Sequence, residues 1–447
     1  MKKSGFVVAL LITIFYSFNV YAIDNVVSMN KYDEEKFLFT ENSYNDEKNV
    51  DGIIAGGYVL KEVIEEENEK YNDYQAIVVK YDSNSKLVWS YIYGKTDEDN
   101  LDCLGYSYDG EGNIDGYLLV VKATNDIGDP VNNESIFVKL SLDGKKVFDK
   151  PLNINNNIRI NKLLETGNDG YIAIGNNGES SYLIKLDREL NVTWFREQNK
   201  ETFTSINYLD LTPVSRDNQV IGYALIRELG TDEENKINQL IIYNSNGEEP
   251  VVIIEDLNKY DSFFLDKATD GFVLYGATSE VKLKKGTASY YLINYNSNNE
   301  VSWETVGEDP LDKDKKLELL PRTKEGSITE YLLLYSNDVD KSTEVVKIMA
   351  DGEIKDKIKK IYDEYYTIED FMFYNDVLYL VGQINCPKDD TCEYDSNSLF
   401  LTSDQEKVVE VKDNDSRNIL IITGVFIILI VGTVLYRRRK VVNKKVR

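Results

Sequence analysis

One short pattern recurs along most of this chain, and it restricts the possible folds more than any other feature. An Asp-Gly pair opens an apolar run at Asp51-Gly52-Ile53-Ile54-Ala55-Gly56 and again at Asp115-Gly116-Tyr117-Leu118-Leu119-Val120. It returns at Asp169-Gly170-Tyr171-Ile172-Ala173-Ile174-Gly175 and at Asp270-Gly271-Phe272-Val273-Leu274-Tyr275-Gly276, with a degenerate copy at Asp376-Val377-Leu378-Tyr379-Leu380-Val381-Gly382. The steps are 64, 54, 101 and 106 residues. The two long steps each contain one further copy, Val220-Ile221-Gly222-Tyr223 and Glu330-Tyr331-Leu332-Leu333, so the repeat is about 54 residues. A period in this range marks stacked units, none of which can bury its apolar face alone.

Each copy continues in the same order. A second strand-like run follows, as in Ala76-Ile77-Val78-Val79-Lys80, Tyr182-Leu183-Ile184-Lys185-Leu186 and Val345-Val346-Lys347-Ile348. Then comes a tight turn, and Asp143-Gly144, Asn246-Gly247 and Asp351-Gly352 are pairs that tolerate positive φ. A short strand closes the unit, three times with a tryptophan: Trp89, Trp194 and Trp303. Each lies seven residues after Asp82, Asp187 or Asn296, and the shared position predicts a packing role. A further strand precedes each opening. The middle runs are continuously apolar, which predicts strands buried on both faces. Four antiparallel strands per unit therefore predict an all-β, seven-bladed β-propeller over residues 23–411, with six or eight as the neighbouring counts.

The order Asp-Gly-Tyr-Ile-x-x-Gly, then hydrophobic-Lys-hydrophobic-Asp, then a turn and x-x-Trp, resembles the propeller repeats of secreted or surface-anchored bacterial proteins. These are similar in turn to the pyrroloquinoline-quinone-type blade. Sialidase propellers carry a related Asp-box, but with a shorter Asp-to-Trp spacing. The resemblance implies blade architecture only, because propellers host many chemistries.

The two ends predict the compartment. Lys2 and Lys3, the apolar run Phe6–Phe18 and Val20-Tyr21-Ala22 read as a signal peptide over 1–22. Residues 412–418 read as a linker of at most about 25 Å. Residues 419–436 hold 18 uncharged residues and read as a transmembrane helix about 27 Å long. The tail 437–447 carries seven positive charges and no acid, which predicts a cytoplasmic C-terminus and an external propeller. The cell-wall sorting motif is not found before this run. Its nearest match, Leu320-Pro321-Arg322-Thr323, is followed by Lys324 far upstream.

Composition narrows the chemistry. There is no histidine in 447 residues, which removes Ser-His-Asp and Cys-His nucleophiles and His-ligated metals. A net charge of −26 excludes nucleic acid as a natural partner. The external part is more acidic still, since the basic residues concentrate at the two ends. The predicted loop rim carries Glu65, Glu66, Glu67, Asp97, Asp99, Asp126, Asp129, Asp232, Glu233 and Glu234, candidates for a binding face. Asp389, Asp390, Glu393 and Asp395 are candidate oxygen ligands for Ca²⁺, although no loop matches the spaced calcium pattern. Asp109-Gly110-Glu111-Gly112-Asn113 comes nearest to it. Cys386 and Cys392 flank one loop and predict a disulfide in an oxidising compartment, with free thiols the alternative. Cys103 reads as a small buried hydrophobe.

These features predict a membrane-anchored binding module at the bacterial cell surface, engaging a protein or glycan. The alternatives are a carboxylate-dependent glycan-active enzyme, a quinone-dependent enzyme, or a receptor relaying through the basic tail.

Overall fold

The structure is a computed structural model. It describes Asn25–Val26 and residues 35–404, except 67–68, 85, 95–97, 125–132, 155–156, 168–169, 199–204, 231–234, 249, 279–288, 308–316, 325, 338–341, 362–365, 375–376 and 385–396. A two-residue strand, β1 (Asn25–Val26), comes first. The next eight strands form one sheet: β2 (Glu35–Tyr44), β3 (Val50–Glu66), β4 (Glu69–Asp82), β5 (Leu87–Tyr93), β6 (Glu98–Tyr108), β7 (Ile114–Thr124), β8 (Asn133–Ser141) and β9 (Lys146–Pro151). Three four-stranded sheets follow in chain order. They are β10 (Arg159–Glu165) to β13 (Val192–Gln198), through β11 (Tyr171–Asn176) and β12 (Ser181–Leu186); β14 (Ser205–Arg216) to β17 (Val251–Ile254), through β15 (Gln219–Gly230) and β16 (Lys236–Asn244); and β18 (Phe264–Lys267) to β21 (Val301–Val306), through β19 (Phe272–Thr278) and β20 (Ser289–Tyr295). The next is β22 (Leu317–Lys324), β23 (Ser327–Asn337), β24 (Ser342–Met349) and β25 (Ile354–Ile361). The last is β26 (Tyr366–Tyr374), β27 (Val377–Ile384) and β28 (Asn397–Asp404), completed by β1. Asn25 and Val26 pair antiparallel with Thr402 and Leu401. The chain's beginning thus clasps its last sheet.

This is an all-β propeller, and it corrects the expected count. Counted by hydrogen-bonded sheets there are six blades, not seven: five of four strands and one of eight. The eight-stranded sheet arises because β3 and β4 make an overlong hairpin, 17 and 14 residues. That hairpin carries Tyr74 alongside Glu98 of β6, and a parallel bridge fuses the two runs of four. The expected transmembrane helix is also not part of the described fold. Among the described residues there is no helix, and none long and apolar enough to cross a membrane. The expected segments 1–22, 412–418, 419–436 and 437–447 lie outside the described residues.

The middle strands show why their sequences lack alternation. β12, β19 and β20 are buried at every position, and β11 at all but its last. Successive residues face different neighbours. Tyr171 and Ala173 pack toward Val120 and Phe137, while Ile172 and Ile174 pack toward Leu211 and Leu225. Each fully buried Val, Leu, Ile or Phe side chain contributes roughly 1.5–3 kcal/mol by burial. The outer strand β13 alternates half-buried and exposed, as expected with one solvated side. The ring closes through Phe37, Ile53 and Val79 packing on Met372, Tyr379 and Val381.

The repeat motif now has physical causes. Its glycine sits where the strand lies over the next strand's carbonyl. A Cβ on Gly52 would stand 2.1 Å from the Tyr81 oxygen, and one on Gly116 2.0 Å from the Leu140 oxygen. The motif's Asp meets the motif's Lys: Lys80 Nζ reaches Asp51 at 2.8 Å and Lys139 Nζ reaches Asp115 at 2.7 Å. The Asp or Asn seven residues before the tryptophan caps the turn. Asp82 accepts from the N–H groups of Asn84 and Lys86, and Asn296 from those of Asn298 and Glu300. Asp109 does the same for Glu111 and Asn113, so the segment nearest to a calcium pattern is a hairpin turn of this kind.

The tryptophans interlock with a neighbouring unit's turn. The ring of Trp89 lies 5.9 Å from Tyr117, Trp194 6.2 Å from Tyr223 and Trp303 6.1 Å from Tyr331. Each indole also covers a turn glycine at positive φ: Gly144, Gly247 or Gly352. Among the described residues the Trp89 Nε1–H has no hydrogen-bond partner, so this ring contributes by packing. A Cβ on Gly247 would fall 2.6 Å from the Trp194 ring, and φ there is +67°. Gly178 has φ +85° but open space around it. Gly247→Ala is therefore expected to lose about 2–4 kcal/mol, combining left-handed strain with overpacking. Gly178→Ala should lose only about 1–2 kcal/mol. Urea melts of the two variants would check this, and equal losses would show that the indole contact is immaterial.

Candidate functional site

The first strands of the units contact one another around the axis: β2 with β6 and β26, β6 with β10, β10 with β14, β14 with β18, and β22 with both β18 and β26. Five of them, β2, β6, β10, β14 and β26, carry a bulge near the same place. A bulge re-aims side chains. At or beside it stand charged residues that join neighbouring inner strands. Asp210 accepts from the N–H of Leu211 at 2.8 Å and from the N–H of Leu265, across the seam, at 2.6 Å. Lys162 Nζ lies 2.5 Å from the same carboxylate. Asp370 repeats the device, accepting from the N–H of Phe371 at 2.8 Å and from Thr40, across the closing seam, at 2.6 Å. Lys36 pairs with Glu369 at 2.7 Å, and Arg159 grips Asp102 through two bonds of 2.7 and 3.0 Å.

At the closing seam β2, β22 and β26 surround a cavity of about 350 Å³. Glu41, Glu318 and Asp370 bring carboxylates to it, Asn42 and Thr323 neutral polar groups, and Arg322 a guanidinium. Arg322 is itself paired with Glu330 at 3.0 Å. Glu41 Oε2 accepts from the Tyr106 hydroxyl at 2.9 Å. Burial pushes the Glu41 carboxyl up to about 7; Asp370 adds to this, while Tyr106 and Lys267 oppose it. Burial likewise pushes Asp266 up to about 6, against the pull of Lys267 and Lys162. Burial also raises Glu165, which accepts from the Tyr108 hydroxyl.

Of the acids predicted for a binding face, only Glu65, Glu66 and Asp99 fall among the described residues. Asp99 was expected on an exposed rim. It is fully buried in β6, because that strand begins at Glu98 where the parallel bridge forms. Glu65 and Glu66 end β3, paired with Lys70 and Glu69 of the long hairpin. Glu67, Asp97, Asp126, Asp129, Asp232, Glu233 and Glu234 lie outside the described residues, as do Cys386, Cys392, Asp389, Asp390, Glu393 and Asp395. Among the described residues no group of three or more Cys, Asp or Glu side chains is arranged to hold a metal ion. Cys103 is buried in β6, and burial pushes its thiol up to about 12, so it is inert as a nucleophile. The inner-strand acids were missed. Their signal is a charge at one place in the strand before four of the openings, at Lys162, Asp210, Glu318 and Asp370.

No family model matches the chain, and no curated protein matches it. Solved structures do. One is a chain of the mitotic checkpoint complex, 8% identical, with 87% of this chain and 93% of that one covered and a TM-score of 0.47. A second is the β-propeller domain of the Trilobed protease from Pyrococcus furiosus, 14% identical, with 84% and 100% covered and a TM-score of 0.42. A third is TolB from Acinetobacter baumannii, 9% identical, with 78% and 80% covered and a TM-score of 0.32. None of the three is described as a quinone-type propeller.

Two predictions follow from the inner ring. Asp210→Ala removes a buried acceptor from two backbone N–H groups and a lysine, and is expected to cost about 2–4 kcal/mol. Adding Lys162→Met in a double-mutant cycle separates the ion pair from the backbone bonds. The second concerns pH. The folded chain holds the Glu41 proton more tightly than the unfolded chain, whose carboxyl titrates near 4.5. Stability from this group is therefore full below about 4.5 and is lost as pH rises to about 7. Asp266 acts in the same direction between 3.8 and about 6. Glu41→Gln should flatten the fall and be the more stable form at pH 8; denaturant midpoints from pH 4 to 8 would show it.

Proposed function

We propose that this chain is a binding module held outside a bacterial cell membrane, tethered through the apolar run 419–436 and engaging its ligand at the mouth of the propeller axis. The observation that carries the reading is the inner-strand cavity, which joins recognition groups from three distant parts of the chain. Its volume lies within the range of small-ligand sites. Asp210 and Asp370 each bond two backbone N–H groups, which commits them to holding the ring. The N-terminal apolar run, the basic tail and the acidity of the part between them support the external placement.

The test is photo-crosslinking on intact cells with a membrane-impermeant reagent, together with external protease. The chain should be labelled and trimmed without lysis, leaving a small membrane-bound fragment that carries the basic tail. Labelling only after lysis would overturn the surface reading.

A further inference from the structure

The outer strand of each unit ends its sheet, and a sheet edge offers backbone N–H and C=O groups with which a further strand can pair. Most of these edges are guarded by charge. β9 carries Lys150, β13 Arg196, β21 Glu304 and β25 Lys357. β17 has no charge but spans only four residues, and β1 only two. The exception is β5. Leu87-Val88-Trp89-Ser90-Tyr91-Ile92-Tyr93 runs for seven residues without a charge and is rich in the types that favour strands. It pairs with β4 and, among the described residues, with no strand on its other side. Leu87 is 41% exposed and Val88 54%, and Ser90 is exposed too. Trp89 packs on Tyr117 and Tyr93 is buried, so the strand is anchored while part of it faces solvent.

We infer that β5 is a self-association edge, through which two copies of this chain pair antiparallel, β5 to β5, about a two-fold axis at Ser90. Charge selects the occupant. A chain of net charge −26 repels its own copies over most of its surface, and a charge-free strand is where that repulsion is least. The strand is also self-complementary. With Ser90 opposite Ser90, Trp89 falls opposite Tyr91, Val88 opposite Ile92 and Leu87 opposite Tyr93. Aromatic and β-branched pairs of this kind stabilise antiparallel sheets. The nearest charge, Lys86, falls opposite Gly94, so no like charges meet. A charged foreign strand finds no counter-charge on this edge. The same patch serves both copies, which closes the assembly as a dimer instead of a fibre. One strand pair buries less than a standard interface, so the dimer is weak and depends on concentration. The pairing goes beyond the ligand-binding reading and does not require it.

The experiment is disulfide trapping and sedimentation of the full-length chain in detergent micelles at tens of micromolar. Residues directly opposite in an antiparallel pair have Cα atoms about 4.5–5.5 Å apart. That lies inside the range of about 4.4–6.8 Å that a disulfide spans. Ser90→Cys is therefore expected to give a covalent dimer under mild oxidation, with mass spectrometry placing the link between the two positions 90. Glu304→Cys, at the corresponding place one residue after Trp303 on the charged strand β21, should give none. The unaltered chain should sediment as a monomer–dimer equilibrium. Val88→Lys sets a charge against Ile92 of the other copy and should weaken that equilibrium by at least about tenfold. A chain that stays monomeric, a dimer that Val88→Lys leaves unchanged, or trapping at position 304 as readily as at 90 would each overturn the inference. The second outcome would assign association to another surface, such as the apolar run 419–436, and the third to random collision. The comparison of positions 90 and 304 decides the matter even if Val88→Lys folds poorly.

Discussion

The structure depends on closing a ring of inner strands, and charged side chains close it. Sheets packed face to face can slide, because apolar contact has no preferred register. A carboxylate that accepts two backbone N–H groups does have one. Asp210 fixes β14 to β18 in this way, and Asp370 fixes β26 to β2. Arg159 with Asp102 and Lys36 with Glu369 fix two further contacts. The bulges make this possible, because an extra residue turns a side chain out of the strand's own ladder and toward its neighbour. The apolar clusters between sheets supply most of the stabilisation, and the ionic clips decide alignment.

Packing acids around a narrow axis has an electrostatic result. Each carboxylate committed to a backbone N–H is satisfied where it stands. Glu41 and Asp266 each accept one hydrogen bond, from the Tyr106 hydroxyl and the Lys267 N–H, yet burial holds their protons well above the ordinary carboxylate range. The same geometry that secures the ring therefore gathers acids near its axis, some of them beside the cavity between β2, β22 and β26.

Much of this was legible in the chain. The continuous middle runs and the Asp-Gly and Asn-Gly turn pairs describe local events, burial on both faces and a tight turn at positive φ, and these occur as read, whereas the close backbone approach at the openings and the cap before each tryptophan emerged only from the structure. Two features of the architecture were not legible. The fused sheet depends on the length of one hairpin and on a single parallel bridge at Tyr74 and Glu98, and pairing between strands of different units leaves no periodic trace. The clasp depends on two residues, Asn25 and Val26, too few to form a pattern. The site itself was hidden by distance. Glu41, Glu318 and Asp370 belong to opposite ends of the chain and meet only once the ring closes. Asp99 was misplaced for a related reason: an acidic run looks like a loop until a neighbouring strand claims its first residues.

The interlock of tryptophan and turn gives the propeller a parity. Indoles occur on β5, β13 and β21, and the glycines that receive them lie in the turns before β9, β17 and β25. The intervening turns hold Leu190 and Asn299 at the glycine's place, at φ 62° and 67°, and Leu190 shares an apolar cluster with Phe148, which stands where a tryptophan would. Neighbouring units are therefore not interchangeable. Duplicating or deleting a single unit would set an indole against a side chain, or a bare glycine against a small residue. Each tryptophan-bearing unit is therefore matched to the unit that follows it, so β2–β9, β10–β17 and β18–β25 act as three paired modules.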